Sequence, residues 1–511
     1  MTRMSEAAWA LFALLALAAT PPLRAQQDQA LIDALVRKGI LSEKEAEQIQ
    51  AEIQKEAAQA PAPPQSKIKI GDWIDELKFS GELRLRNQWD DTTPQLPKAP
   101  RQTDYSNHSQ RDRWRFRLRL NLDFKLKGNI FGGVQLATSQ NGAADTNNQT
   151  LTGGYDNYNI YISRAFLGWA PLDGVTFVGG KQPNPFYTTE LVWDPSVNPQ
   201  GLVERVDFHK LFNMTFGEPG YAKDGKAPAA PPPAKPSNAL EVSLIAGQFI
   251  FYDNNEYNRV TSATGRVNQD AYQFETQLLT RLKLGKALAI TVAPALFITN
   301  DSVAGLAGNP AQALQNTLPF QGPARDQFIL LAPGDVSFLI GKLPVKLYWD
   351  LAYNFSGDDR WNNEYGPLYS DVTFNRAGTA ITGFPAANRI GPSFSDNFAY
   401  EVGVKIGENK KQGDLSIFGD WRQVGLTSID PNINSSEFAL SSLNSQGIRL
   451  GLAYNLTDFA TFAVTWWHSW ALTHNLFGGA ATGTIPASTI NNTIAPYNHV
   501  DVLQVDLLVN F

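Results

Sequence analysis

The sequence predicts an all-β fold: a transmembrane, antiparallel, up-and-down β-barrel of about 16 strands, preceded by a short N-terminal periplasmic helical segment. Three observations predict it. Apolar and polar residues alternate strictly through many segments between Lys78 and Phe511, the mark of strands with one greasy and one wet face. Short turns and long polar loops take turns in connecting those segments. The chain opens on an export-type segment, and no later run reaches the roughly 20 apolar residues that a membrane helix needs.

Residues 1–25 read as a signal peptide. Arg3 gives the positive start, Ala7 to Ala19 the apolar core, and Ala25 a plausible cut. Its removal takes Arg3, Arg24 and Glu6, a net +1, and changes the charge from -6 to -7. Residues 26–60 follow a helical period. Leu31 and Leu35 share a face, Gly39 ends that helix, and Ser42 with Glu45 forms a capping box for a second. Ala46, Ile49, Ile53 and Ala57 give the second helix a thin apolar stripe. This piece reads either as an exposed helical hairpin or as a coiled segment for oligomerisation or tethering. Residues 61–77, with "APAPPQ", form a stiff Pro-rich linker.

From residue 78 to 511 the period is two. "FSGELRLRNQW" puts Phe79, Leu83, Leu85 and Trp89 opposite Glu82, Arg84, Arg86 and Gln88. "DAYQFETQLL" and "KLYWDLAYN" repeat the pattern. Short turns fall at Gly128–Asn129, Pro171–Asp173, Gly285–Lys286, Gly341–Pro344, Asn409–Gln412 and Thr457–Asp458. Long loops fall near 90–111, 141–156, 183–203, 253–269, 300–326, 357–396, 425–443 and 472–497. A strand is expected near 204–216, although the Pro-rich stretch Gly217 to Ser237 is long where a short turn is due. The last strand alternates Leu503, Val505, Leu507 and Val509 and ends on Phe511.

The polar face of one strand is unusual. In "RDRWRFRLRLNLDF", Arg113, Arg115, Arg117 and Arg119 point one way, and Trp114, Phe116, Leu118 and Leu120 the other. Neighbouring arginines are roughly 7 Å apart and repel by roughly 0.6 kcal/mol in water, or roughly 2.4 kcal/mol at an effective dielectric of 20. A dry core could hold such a row only with matched carboxylates; a water-filled lumen could hold it outright. Arg84 and Arg86 belong to the neighbouring strand and extend the patch. Two readings stand: a guide for anionic solutes, or a cluster neutralised by acidic loops or the opposite wall. The third long loop carries Glu190 and Asp194 among Pro183, Pro185, Pro195 and Pro199. It is either a stiff constriction set against the basic wall or an ordinary external loop.

Other chemistry is poorly supplied. There is no Cys, hence no disulfide or thiolate centre, and five His residues leave little for a metal site. His468 and Ser469 are adjacent, so on a strand they face opposite ways. Trp466 and Trp470 suit an interfacial girdle. "SGDDR" reads as a solvated turn rather than a cation loop. No cofactor, catalytic residue or nucleic-acid partner is expected.

The stretches "RDRWRFRLRLNLDFKLKGNIFGGVQLATS", "SRAFLGWAP", "GGKQPNPFYTTELVWDPSVNPQG" and the final "VDLLVNF" resemble a porin family of Gram-negative bacteria. "LVRKGILSEKEAEQI" is similar to a helical prefix found on many of its members. "GKQPNPF", an acidic loop and "VERVDF" bear a looser likeness to phosphate-selective porins, whose lysine-rich binding stretch has no match here. The resemblance implies an outer-membrane pore, a homotrimer among lipid and lipopolysaccharide, and a Phe511 read by the barrel assembly machinery. The expectation is therefore a passive diffusion channel for small hydrophilic solutes, mildly anion-preferring, with a periplasmic N-terminal segment. A plugged structural or adhesive barrel is the alternative, and an outer-membrane hydrolase the more remote one.

Overall fold

The computed structural model describes residues 71–94, 109–212, 238–252, 271–285, 287–300, 326–361, 373–374, 380–383, 393–473, 485–486 and 497–511. The expected signal peptide, helical segment and most of the linker lie outside them. So does Gly217 to Ser237.

Sixteen antiparallel strands close into a barrel. In chain order they are β1 (Ile74–Pro94), β2 (Ser109–Leu126), β3 (Ile130–Thr138), β4 (Ile160–Leu172), β5 (Val175–Lys181), β6 (Gln200–Asp207), β7 (Asn238–Tyr252) and β8 (Ala271–Leu284). Then come β9 (Leu288–Val292 and Ala295–Asn300), β10 (Gln327–Leu331 and Gly334–Ile340), β11 (Leu343–Asn354) and β12 (Phe398–Gly407). The last four are β13 (Leu415–Val424), β14 (Ser445–Asn455), β15 (Ala460–Ala471) and β16 (Tyr497–Asn510). Each strand pairs with its neighbours in the chain, and β16 returns to β1 from Glu82↔Asn510 to Pro94↔Tyr497. That last pairing leaves no free edge, which is what a sheet in hydrocarbon requires.

The alternation in the sequence becomes inside and outside. Outward-facing Leu83 and Leu85 are exposed, whereas inward-facing Arg86 and Gln88, the next residues of opposite parity, are buried. Pro294 and Pro333 lack an N–H and split β9 and β10. Their carbonyls still accept hydrogen bonds, from Leu278 N at 3.0 Å and Ala293 N at 2.9 Å, so the wall stays continuous. No helix among the described residues is long and apolar enough to cross a membrane.

An aromatic belt runs along the loop-side rim of the outer surface. Phe328, Phe355, Tyr353, Phe394, Phe398 and Tyr400 follow one another at ring separations of 5.1 to 5.6 Å. Trp421 Nε1 donates to Tyr400 Oη at 3.1 Å, and Trp421 packs on Trp470 at 5.6 Å. Trp466 and Trp470 thus sit where amphipathic rings meet the boundary between lipid and water.

Three sequence expectations shift. β1 begins at Ile74, inside the stretch assigned to the linker. The strand expected near 204–216 is β6, at 200–207, followed by a helical turn, α1 (Phe208–Leu211). Gly180 on β5 has φ +115° and pairs with Gly201 on β6, which has φ +154°. Only glycine adopts such angles freely, and the alternation rule does not see them. "SGDDR" is a second helical turn, α2 (Gly357–Arg360), with Asp358 and Asp359 in solvent and Gly357 and Arg360 buried, so only half of it is solvated.

The two glycines launch and receive the third long loop. A Cβ on Gly201 would run into the Gln248 carbonyl oxygen of β7. Gly201→Val should therefore cost about 1–3 kcal/mol, the scale of forced backbone strain. A lower urea midpoint for the detergent-folded barrel, with an unchanged far-UV circular dichroism shape, is the expected measurement.

Candidate functional site

β1 and β2 place six arginines on the inward face by parity alone. In the register, Arg84 lies opposite Arg117 and Arg86 opposite Arg115. Such a patch must be compensated where water is thin, and most of it is. Arg86 grips Asp506 through two bonds of 2.7 and 2.8 Å and reaches Glu437 at 3.1 Å. Arg113 pairs with Asp90 at 2.7 Å, and Arg117 with Glu82. Arg119 reaches Asn147 at 2.9 Å and lies 3.9 Å from Glu82. Arg84 and Arg115 differ: their partners are the amides of Asn148 and Gln88.

The opposite wall, from β8 to β14, is acidic, with Glu275, Asp335, Asp350, Glu401 and Asp420 all buried. Two arginines sit among these carboxylates. Arg422 lies 3.0 Å from Asp420 and 3.4 Å from Glu401. Arg449 lies 2.6 Å from Asp420 and 3.5 Å from Glu401.

Residues 182–199, the third long loop, cross the interior and are bound to this acidic wall. Tyr187 Oη donates to Asp335, and Thr189 Oγ1 to Asp350 at 2.8 Å. Trp193 Nε1 donates to Glu275 at 3.0 Å. Glu190 reaches Arg449 at 2.6 Å and Arg422 at 3.4 Å. The far end of the loop touches the basic side, where Arg164 donates to Asn198 at 2.7 Å and Arg119 to Ser196 at 3.4 Å.

Glu190 therefore faces the arginines of β13 and β14 rather than those of β1 and β2. Asp194 meets backbone: it accepts from Ser196 N at 2.8 Å and Ser436 N at 2.9 Å, while its own N–H donates to Ile433 O at 2.6 Å. Burial first, and then the charge of Glu437, pushes the Asp194 carboxyl above the usual carboxylate range. Burial would also raise Glu437, but Arg86 and Arg84 outweigh it and hold its carboxyl below the usual range.

Residues 425–444 are a second inturned loop. The sequence marks 425–443 as a polar external loop, yet Leu426, Ile429, Ile433, Phe438 and Leu443 are buried. They pack with Leu191, Val192, Trp193 and Val197 of the third loop and with Phe297, Ile329 and Leu331 of β9 and β10. The interior thus has an apolar plug that runs from the acidic wall round to Trp467 of β15 and Val500 and Val502 of β16, and Glu437 of the same loop reaches Arg86 on the basic side. Those five apolar residues are scattered through a Ser- and Asn-rich stretch, so no local pattern in the sequence marked the loop as inturned. Arg422 and Asp420, which share strand parity, were the signal for the second charge cluster.

Open space remains on the basic side. One cavity of about 400 Å³ is lined by Glu82, Arg119, Asn121, Gln135, Arg164 and Pro183. A second of about 540 Å³ adjoins Pro183, Asn184 and Arg205.

The family model described as "Putative porin" matches residues 63–327. Three solved structures are similar over much of their length. Salmonella typhi OmpF, in complex with daunomycin, is 10% identical, with 85% of this chain and 97% of that one covered and a TM-score of 0.40. Pseudomonas putida OprB, at high pH, is 8% identical, with 85% and 94% covered and a TM-score of 0.42. Vibrio cholerae OmpT, an outer membrane protein in its trimer form, is 8% identical, with 85% and 99% covered and a TM-score of 0.37. None of the curated proteins matches the sequence.

Trp193 ties the two inturned loops to the wall. Trp193→Ala should cost about 3–5 kcal/mol, the usual range for deleting a buried large ring. Faster amide hydrogen exchange in both 183–199 and 425–444 is the expected readout, with the strands unaffected.

Proposed function

The chain belongs to the putative porin family, and on that premise we propose that it is a passive diffusion channel for small hydrophilic solutes, mildly selective for anions. Outer-membrane location and a non-enzymatic channel role come with the family; the solute class and the preference are our reading. One observation carries the preference. Arg84 and Arg115 hydrogen-bond to amides rather than to carboxylates, with Glu437 as their nearby counter-charge, while the opposite wall is acidic and covered by the apolar plug. The open cavities touch the guanidinium groups of Arg119, Arg164 and Arg205, with Glu76, Glu82 and Asp123 beside them. A solute is thus routed past guanidinium groups, in a low-dielectric channel where their field is weakly screened. In this reading Arg119 lines the path directly, Arg113, Arg117 and Arg86 add to its field with their charge partly balanced, and Glu190 and Asp194 brace the loop that narrows it.

The rest of the reading follows the family: a homotrimer in lipid and lipopolysaccharide, a periplasmic N-terminal segment, and Phe511 offered to the barrel assembly machinery. Phe511 supports the last point by position. It exchanges backbone bonds with Gly81 at 2.6 and 3.0 Å and completes the seam between first and last strands.

The plug favours one rival, a closed barrel with a structural or adhesive role. Planar-bilayer recording separates the two. Stepwise single-channel conductance is expected, with a reversal potential under a salt gradient on the anion-selective side. Arg84→Ala combined with Arg115→Ala should lower the anion-to-cation permeability ratio by about twofold or more, the scale of two charges removed from a partly screened path. Absence of conductance steps supports the plugged barrel. Cation selectivity unchanged in the double variant overturns the anion route.

A further inference from the structure

Three donors of the kind that bind transition metals meet on the outward rim, away from the channel. His468 on β15 and Asp501 on β16 are direct cross-strand partners. His499 stands two residues before Asp501, so all three side chains share the outer face. His468 Nδ1 lies 2.8 Å from one Asp501 oxygen, and His499 Nε2 lies 3.5 Å from the other. The candidate ligand atoms are all within 4.8 Å of one another. A tetrahedral zinc ion with bonds near 2.0–2.1 Å needs its ligands about 3.3 Å apart, so small side-chain rotations suffice.

We propose that His468, His499 and Asp501 bind one divalent transition-metal ion of the zinc class at the outer rim of the barrel. A hydrogen bond between His468 and Asp501 explains that pair alone. It does not explain why His499 turns a ring nitrogen to the same carboxylate, with its ring packed on His468 at 4.8 Å. Trp466 Nε1 donates to Asp501 Oδ1 at 3.2 Å and orients the carboxylate, a support typical of metal-binding carboxylates. Trp466 and Trp470 flank His468 at ring separations of 5.5 and 5.4 Å and limit its rotation. The two histidine side chains are 34% and 35% exposed, so an ion can reach them. Two imidazoles and one carboxylate, with no thiolate in the chain, suit zinc and its neighbours better than calcium or magnesium. Three protein ligands leave a fourth position open outward.

The test is calorimetric titration of the full-length protein, folded in detergent, with Zn²⁺. One equivalent per chain is expected. His468→Ala, His499→Ala and Asp501→Asn should each weaken binding by at least about tenfold, while His209→Ala, at α1, should leave it unchanged. Circular dichroism checks that each variant is folded. Zinc-edge X-ray absorption of the unaltered protein gives a reading that needs no variant, and scattering from two imidazoles is expected. No saturable binding, folded variants that bind like the parent, or a shell of oxygen atoms alone would each overturn the proposal.

Discussion

A strand in hydrocarbon can send its backbone hydrogen bonds only to another strand. Each unpaired peptide group costs several kcal/mol there, so the sheet has to close on itself. The seam between β1 and β16, finished by the exchange between Gly81 and Phe511, is where this chain meets that demand. Closure then divides every strand into two environments. Leu83 and Leu85 face the outside and Arg86 and Gln88 the inside because successive side chains on a closed wall have no third choice.

Charge placed inside a barrel creates the next constraint. Guanidinium groups lose hydration as the interior narrows and must find partners. On β1 and β2 the partners are mostly local carboxylates: Glu82, Asp90 and, across the seam, Asp506. On the other wall the carboxylates outnumber the arginines, and the third loop fills the gap with hydroxyl, phenol and indole donors from Thr189, Tyr187 and Trp193. The loop is held across the lumen because the acidic wall needs its donors. Residues 425–444 follow it inward because Asp194 and the apolar side chains beside it offer them a surface. The asymmetry of the interior, with the plug running from β9 round to β16 and the open cavities against β1 to β7, grows from that division of charge.

The strands and turns were legible because period two and turn chemistry are local. All six expected short turns separate consecutive strands. β6 was misplaced because Gly180 and Gly201 bring β5 and β6 together at angles that no hydrophobic pattern encodes. The inward arginines were legible by parity, and so was the pairing of their strands. Their partners were not: Asp506 is 420 residues from Arg86, and Glu437 is 351 residues away. Glu190 and Asp194 stood out as charges on a stiff loop, but which wall each would meet depends on where that loop crosses.

By itself, the sequence determined that this chain alternates and turns as barrel strands do, and that one wall carries a row of arginines. Those properties depend on neighbours one to four residues away. Only the tertiary structure decided which charges cancel, which loops turn inward, and that His468, His499 and Asp501 share a rim. Each of these depends on residues far apart in the chain, brought together by strand register and barrel closure.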